Sequence, residues 1–125
     1  MQHWLLVRGR GERPLGRFHG DLVQAHSSSR RPSQEPGDLA VLYASVWQAV
    51  YGLAEVTGPA EHDPRKERWA WRFPLRPLLV LDDLDRAPAV EEVGVWPRSL
   101  WRHSYIRLTE EQYTAARDAI SARLA

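Results

Sequence analysis

The chain has 125 residues, 43% of them hydrophobic, and a formal net charge of +1 at pH 7. This length and apolar content are enough for one core, so we predict a single domain over residues 1–125. The chain has no cysteine, which excludes disulfides, thiolate catalysis and cysteine-ligated metal sites and fits the cytoplasm. No apolar stretch reaches the length of a signal-peptide core or a membrane span, so we expect a soluble, unanchored protein.

Charge and aromatic content bear on the class of ligand. A net charge of +1 does not by itself indicate nucleic-acid binding, so any basic surface must come from local clustering. Of the 17 basic residues only Lys66 is lysine, and arginine suits bidentate phosphate contacts, although arginine bias also follows genome composition. The six tryptophans are a more informative excess, and we expect some of them to line a site.

The first predicted element is a strand over Trp4–Arg8, which ends at the glycines of Gly9–Gly11. Residues 12–36 lose hydrophobic periodicity, so we predict a long surface loop there with one helical turn near residues 21–25. Loops of this length in a compact domain often carry function.

Two strands follow the turn at Pro36–Asp38. The apolar run over residues 39–43 predicts a strand that ends near Ser45, and residues 50–56 predict the next. Their separation predicts a hairpin around residues 46–49.

The second half of the chain predicts further strands and a helix. Residues 69–73 alternate with period two, which would place Trp69, Trp71 and Phe73 on one face, and residues 75–81 continue as a strand despite two prolines. Residues 85–93 have weak helical character, and residues 104–108 read as a short strand.

The C-terminal segment predicts an amphipathic helix. Thr109 and Gln112 match a capping box, and apolar residues then recur at three- or four-residue spacing up to Leu124. The order of elements is therefore a strand, a long loop, several antiparallel strands and a helix, which is an α+β arrangement.

Four segments in this order resemble the EVE domains of the PUA-like superfamily, relatives of the YTH readers of methylated RNA. These segments are residues 4–7, 36–45, 50–56 and 104–111. The resemblance implies a PUA-like mixed or antiparallel β-barrel with a C-terminal helix and a few short flanking helices. Residues 12–35 and 84–101 depart from the family pattern, so the ligand can differ from that of better-known relatives.

The resemblance also implies a pocket in which aromatic side chains sandwich a flipped base. Strand alternation would place Tyr43, Ser45 and Trp47 on one face, with the Ser45 hydroxyl at the base edge; alternatively, the aromatics are core and Ser45 is a turn residue. The other candidates for the base pocket are Trp69, Trp71, Trp96, Trp101, His103 and Ser104. Trp69 and Trp71 would alternatively fill the barrel interior.

Four arginines are candidates for phosphate contacts, with a solvated surface role as the alternative. They are Arg10, Arg30, Arg31 and Arg102. Enzyme signals are weak: Glu61-His62-Asp63 does not converge on one point, and Asp82-Asp83-Leu84-Asp85 lacks the glycine of a calcium loop. We therefore expect no catalytic residues, no metal ion and no nucleotide cofactor.

The sequence thus predicts a non-catalytic domain that binds DNA or RNA carrying a modified base. One alternative is an interaction module for a small molecule or a protein partner. The other is a small nucleoside hydrolase or deaminase, which the related ASCH domains suggest. DNA or RNA, the modification and the oligomeric state stay open.

Overall fold

The structure is a computed structural model that describes residues 1–8, 25–81 and 83–124. Seven strands form one mixed sheet: β1 (His3–Arg8), β2 (Ala25–Ser28), β3 (Leu39–Ala44), β4 (Ala49–Val56), β5 (Glu61–His62), β6 (Trp71–Val80) and β7 (Tyr105–Leu108). Three short 3₁₀ helices, Leu84–Arg86, Val90–Val93 and Pro97–Leu100, precede β7, and one α-helix, α1 (Glu110–Leu124), follows it. The predictions for the Gly9–Gly11 turn, Arg10, residues 21–24 and Asp82 lie outside the described residues. None of the helices described is long and apolar enough to cross a bilayer.

The sheet curls into a half-barrel because β6 pairs with different strands along its length. The strand order is β2-β6-β4-β3-β1-β7, with β5 paired to β6. The second half of β6 pairs with β4, and its first half pairs with β2. Among the strand pairs that the structure describes, β1 with β3 is parallel and the others are antiparallel. The predicted α+β architecture, a curled mixed sheet with a C-terminal helix, is confirmed.

Strand alternation divides the core between the two faces of this sheet. On the outer face, Leu5 and Val41 pack with Tyr113 and Ile120 of α1. The opposite face, which we call the inner face, carries another apolar cluster. Its largest members are Trp4, Leu6, Leu42, Tyr51, Phe73 and Leu75.

Two local predictions are confirmed and place the ends of β3, β4 and α1. The strands β3 and β4 form a hairpin whose turn covers residues 45–48. In the capping box, the Gln112 backbone N–H donates to Thr109 Oγ1 at 3.1 Å, and the Thr109 N–H donates to Gln112 Oε1 at 2.9 Å.

Three predictions are wrong in part. Residues 12–36 are not all loop, because Ala25–Ser28 forms β2; its sequence lacks apolar alternation, and only pairing with β6 reveals it. Trp69 does not continue the strand with Trp71, because β6 begins at Trp71 and Trp69 has a left-handed backbone (φ 51°). Residues 85–93 form parts of two 3₁₀ helices rather than one helical segment.

Gly52 allows β4 and β6 to approach closely. A Cβ at this position would lie 3.0 Å from the Leu79 carbonyl oxygen and 3.2 Å from Leu42 Cδ1. We predict that Gly52→Ala lowers the free energy of unfolding by about 2 kcal/mol, because backbone must shift to relieve the contact. Urea denaturation tests this, and Ser121→Ala on the exposed side of α1 is the control. An unchanged midpoint for Gly52→Ala would contradict the close packing.

Candidate functional site

The end of β1 places a charged side chain on the apolar inner face. Arg8 alternates with Trp4 and Leu6 along the strand, so its side chain follows theirs. Burial lowers the pKa of Arg8, and the nearby Tyr51 partly offsets this. Burial raises the pKa of Tyr51, with Arg8 acting in the opposite direction. A partly buried cation and a buried phenol are therefore close enough on the inner face to shift each other's pKa.

His26 of β2 lies beside this cation and connects the two edge strands of the sheet. Its Nε2 is 3.1 Å from the carbonyl oxygen of Ser104. A carbonyl only accepts, so Nε2 carries the proton and Nδ1 is left as an acceptor. Nδ1 is buried and has no hydrogen-bond partner among the described residues.

The environment of His26 keeps its ring neutral. Burial and, to a smaller extent, the charge of Arg8 lower the pKa of His26 from 6.5 to about 3, while the hydrogen bond to Ser104 opposes them. Phe73 packs against the ring, with centroids 5.5 Å apart. The site thus combines the guanidinium donor of Arg8 with the neutral His26 ring, whose Nδ1 acceptor has no partner among the described residues.

Two of the sequence-predicted site residues meet at the same place. The Ser45 backbone N–H donates to the Arg8 carbonyl at 3.0 Å, and the Ser104 carbonyl also accepts from the Val7 N–H at 2.9 Å. We call Arg8, His26, Ser45, Tyr51 and Ser104 the Arg8 cluster.

Tyr43 and Trp47 do not share a strand face with Ser45. The register shifts between Leu42 and Tyr43, and β3 ends at Ala44. Tyr43 is buried in the outer-face core, where burial raises its pKa and Glu91 adds to the effect. Trp47 lies in the hairpin turn with 38% of its surface exposed.

Trp71 is half-buried at the start of β6 and contacts two other side chains. The His62 ring lies 4.8 Å from it, and the Arg31 guanidinium lies 5.7 Å from its centroid. Trp71 pairs with Ser28 of β2, two residues from His26.

Trp69, Trp96 and Trp101 are exposed, and an arginine guanidinium lies over the ring of two of them. The Arg68 guanidinium lies 4.9 Å from the Trp69 ring, and that of Arg102 lies 4.5 Å from Trp101. Trp96 is exposed without such an arginine among the described residues, and the predicted residues Arg30 and His103 are exposed as well.

Sequence reasoning did not single out Arg8, His26 or Tyr51. Period-two alternation from Trp4 and Leu6 could have placed Arg8 on the inner face. His26 lies in a segment without periodicity and carried no signal, because its burial depends on β2 pairing with β6.

The acidic candidates take part in none of the hydrogen bonds described above for the Arg8 cluster. Glu61 and His62 are exposed on β5, and Asp63 binds Arg65. Residues 61–66 line an open cavity of about 420 Å³ together with Ala70 and Arg72. Within the described ranges, no three histidine, aspartate or glutamate side chains lie close enough together to hold a metal ion.

The sequence matches no protein-family model and no curated protein. Solved structures do resemble the chain in fold. A hypothetical protein from Leishmania major superposes with a TM-score of 0.69 at 16% identity, over 100% of this chain and 98% of that one.

Two further structures carry informative names. Human THYN1, solved in complex with DNA containing 5-methylcytosine, has a TM-score of 0.63 at 14% identity over 100% of this chain and 99% of its own. ASCH from Zymomonas mobilis has a TM-score of 0.59 at 15% identity over 94% of each chain. The chain therefore has a PUA-like fold.

Proposed function

We propose that this chain is a non-catalytic nucleic-acid-binding domain of the EVE type that holds one modified base of DNA or RNA at the Arg8 cluster. The observation that carries the proposal is the partly buried Arg8 beside the buried His26, whose Nδ1 has no hydrogen-bond partner among the described residues, next to the apolar cluster of the inner face.

This pair has the chemistry needed to read the edge of a base. Arg8 donates to carbonyl oxygens or unprotonated ring nitrogens, and His26 Nδ1 accepts from an exocyclic amine or a ring N–H. A buried acceptor without a partner costs about 1–3 kcal/mol, so a ligand that supplies its donor gains that energy.

Aromatic neighbours supply the apolar walls. Tyr51 and Phe73 lie on the inner face next to these polar groups. Removing a base from its stack costs a few kcal/mol, and contact with an aromatic face returns about 1–3 kcal/mol. The fold shared with THYN1, which was solved on 5-methylcytosine DNA, supports the same class of ligand.

The rival functions make different demands on the residues. A nucleoside hydrolase or deaminase needs a convergent acid or base, whereas Glu55 binds Arg76 and Glu61 is exposed on β5. An interaction module for a small metabolite or protein would use the same inner face without a nucleic-acid backbone. Affinity for oligonucleotides that does not change with salt would favour that module.

The test is a titration of tryptophan fluorescence with modified and unmodified nucleosides and with short strands that carry them. We expect Arg8→Met to weaken binding of the modified base about ten- to one-hundredfold, because a charge-assisted hydrogen bond contributes about 1.5–3 kcal/mol. Arg117→Met, an equal change at an exposed arginine of α1, should bind as the wild type does. No response to any base, or equal losses in both variants, would overturn the proposal.

A further inference from the structure

The arginines differ in what their side chains contact. Within the described ranges, four of them form ion pairs with carboxylates: Arg65 with Asp63, Arg76 with Glu55, Arg117 with Asp118 and Arg123 with Glu92. Three others lie over tryptophan rings: Arg31 over Trp71, Arg68 over Trp69 and Arg102 over Trp101. These three, which we call the stacked arginines, form no ion pair within the described part of the chain.

Stacking prepares a guanidinium to bind phosphate. The ring holds the plane of the guanidinium and restricts its rotamers, while the N–H groups at its edge stay open to solvent. Trp69 and Trp101 are 55% and 71% exposed, so a ligand can reach both stacks. A planar fork of donors held in this way matches two phosphate oxygens at a smaller entropic cost than a free side chain does.

The backbone at two of these stacks is strained. Left-handed backbone at non-glycine residues occurs at Gln48, Trp69 and Arg102 among the described residues. Trp69 and Arg102 each belong to a stacked pair. L-residues avoid this conformation, and strained positions concentrate at functional sites. The strain is a second sign, independent of the stacking distances, that these side chains are held in a required orientation.

The strand pairing connects the stacked arginines to the Arg8 cluster. Trp71 pairs with Ser28, two residues beyond His26 in β2. Trp101 and Arg102 precede Ser104, whose carbonyl accepts the hydrogen bond from His26. The stacks therefore lie on segments that lead to the cluster from β6 and from the start of β7.

We propose that the stacked arginines Arg31, Arg68 and Arg102 bind the backbone phosphates that flank the base held at the Arg8 cluster. This inference rests on the proposed function and adds the surface that carries the strand. The tryptophans act as positioning residues, and the exposed edges of their rings are available to unpaired neighbouring bases. That combination of cations and stacking surfaces favours nucleic acid over an acidic peptide.

The salt dependence of oligonucleotide binding tests the proposal. Affinity of the whole chain for a labelled single strand would be measured by fluorescence anisotropy at several salt concentrations. Arg68→Ala and Arg102→Ala should each reduce the slope of log K against log salt by about 0.7 and weaken modified and unmodified strands equally. Arg117→Ala removes the same charge from an ion-paired arginine on α1 and should keep the wild-type slope.

A second variant separates position from charge. Trp101→Leu keeps the charge of Arg102 but removes its stack, so we expect binding about two- to fivefold weaker with the slope retained. Thermal melting of each variant shows that the fold is intact.

The outcomes distinguish this proposal from the function on which it rests. Selective binding of a modified nucleoside, together with unchanged slopes in Arg68→Ala and Arg102→Ala, would overturn the phosphate surface and leave the base site standing. Equal slope losses in Arg117→Ala would also overturn it, because general charge would then be the cause. Competition by an acidic peptide as strong as that by an oligonucleotide would replace it with a protein-binding surface. A wild type that binds neither nucleosides nor strands would overturn both proposals.

Discussion

Asp38→Ala should lower the free energy of unfolding by about 3 kcal/mol. The buried carboxylate accepts three hydrogen bonds: from the Gln2 N–H at 3.0 Å, Trp4 Nε1 at 2.9 Å and the Glu35 N–H at 3.0 Å. Alanine leaves all three donors without their acceptor, and each loss costs about 1 kcal/mol or more. The contacts join the start of β1 to the turn before β3, so the sheet loses a long-range connection.

Chemical denaturation at pH 7 measures this effect. Asp38→Asn keeps one carboxamide oxygen and should cost less than Asp38→Ala. Asp118→Ala, at an exposed carboxylate, should stay within about 0.5 kcal/mol of the wild type. If Asp38→Ala unfolds at the wild-type midpoint, the carboxylate does not connect these segments.

Acid adds a second test of Asp38. Burial by itself raises the pKa of Asp38, but the hydrogen bonds from Glu35, Trp4 and Gln2 outweigh it and hold the pKa below its ordinary value. The unfolded chain therefore binds the proton first as pH falls. The contribution of Asp38 is present above the unfolded pKa, near 3.8, and is lost as pH falls from there through the folded pKa.

His26 should make the fold sensitive to pH in a higher range. Its pKa is about 3 in the folded chain and 6.5 in the unfolded chain. The unfolded state therefore takes up a proton below pH 6.5 that the folded state refuses, and stability falls as pH decreases from 6.5 towards 3. We expect this residue to cost about 2 kcal/mol between pH 7 and pH 5.

The measurement compares the wild type with His26→Gln. Glutamine can donate an N–H towards the Ser104 carbonyl but does not titrate. The wild type should lose about 2 kcal/mol more than His26→Gln between pH 7 and pH 5. Asp38 does not interfere, because both of its pKa values lie below this window. Equal losses in the two proteins would show that His26 is protonated in the fold at pH 5.

Local signals account for the parts of the fold that were predicted correctly. The apolar run at Trp4–Val7, the turn at Pro36–Asp38 and the capping box at Thr109 are each encoded by neighbouring residues, and the structure contains all three. Alternation was less reliable where it met a bulge or a turn. The register shift after Leu42 and the left-handed backbone of Trp69 each end a pattern that looked continuous in the sequence.

The candidate site was predictable only in part. Ser45 and Ser104 were expected on a ligand pocket, and the structure brings both to the end of β1. The roles of these residues stay predictions. Arg8 and His26 were not expected there, because a charged side chain at a strand end and a histidine in an aperiodic segment give no local sign of burial.

The sequence by itself determined the order of β1, β3, β4 and α1, the α+β class and the excess of arginine and tryptophan, since composition and short-range periodicity carry that information. Only the tertiary structure decided which polar groups are buried together. β2 pairs with the first half of β6, and the curled sheet brings His26 of β2 within hydrogen-bonding distance of Ser104. His26 is then also close to the charge of Arg8. Residues far apart along the chain are brought together when the sheet curls, and no local sequence pattern encodes that curling.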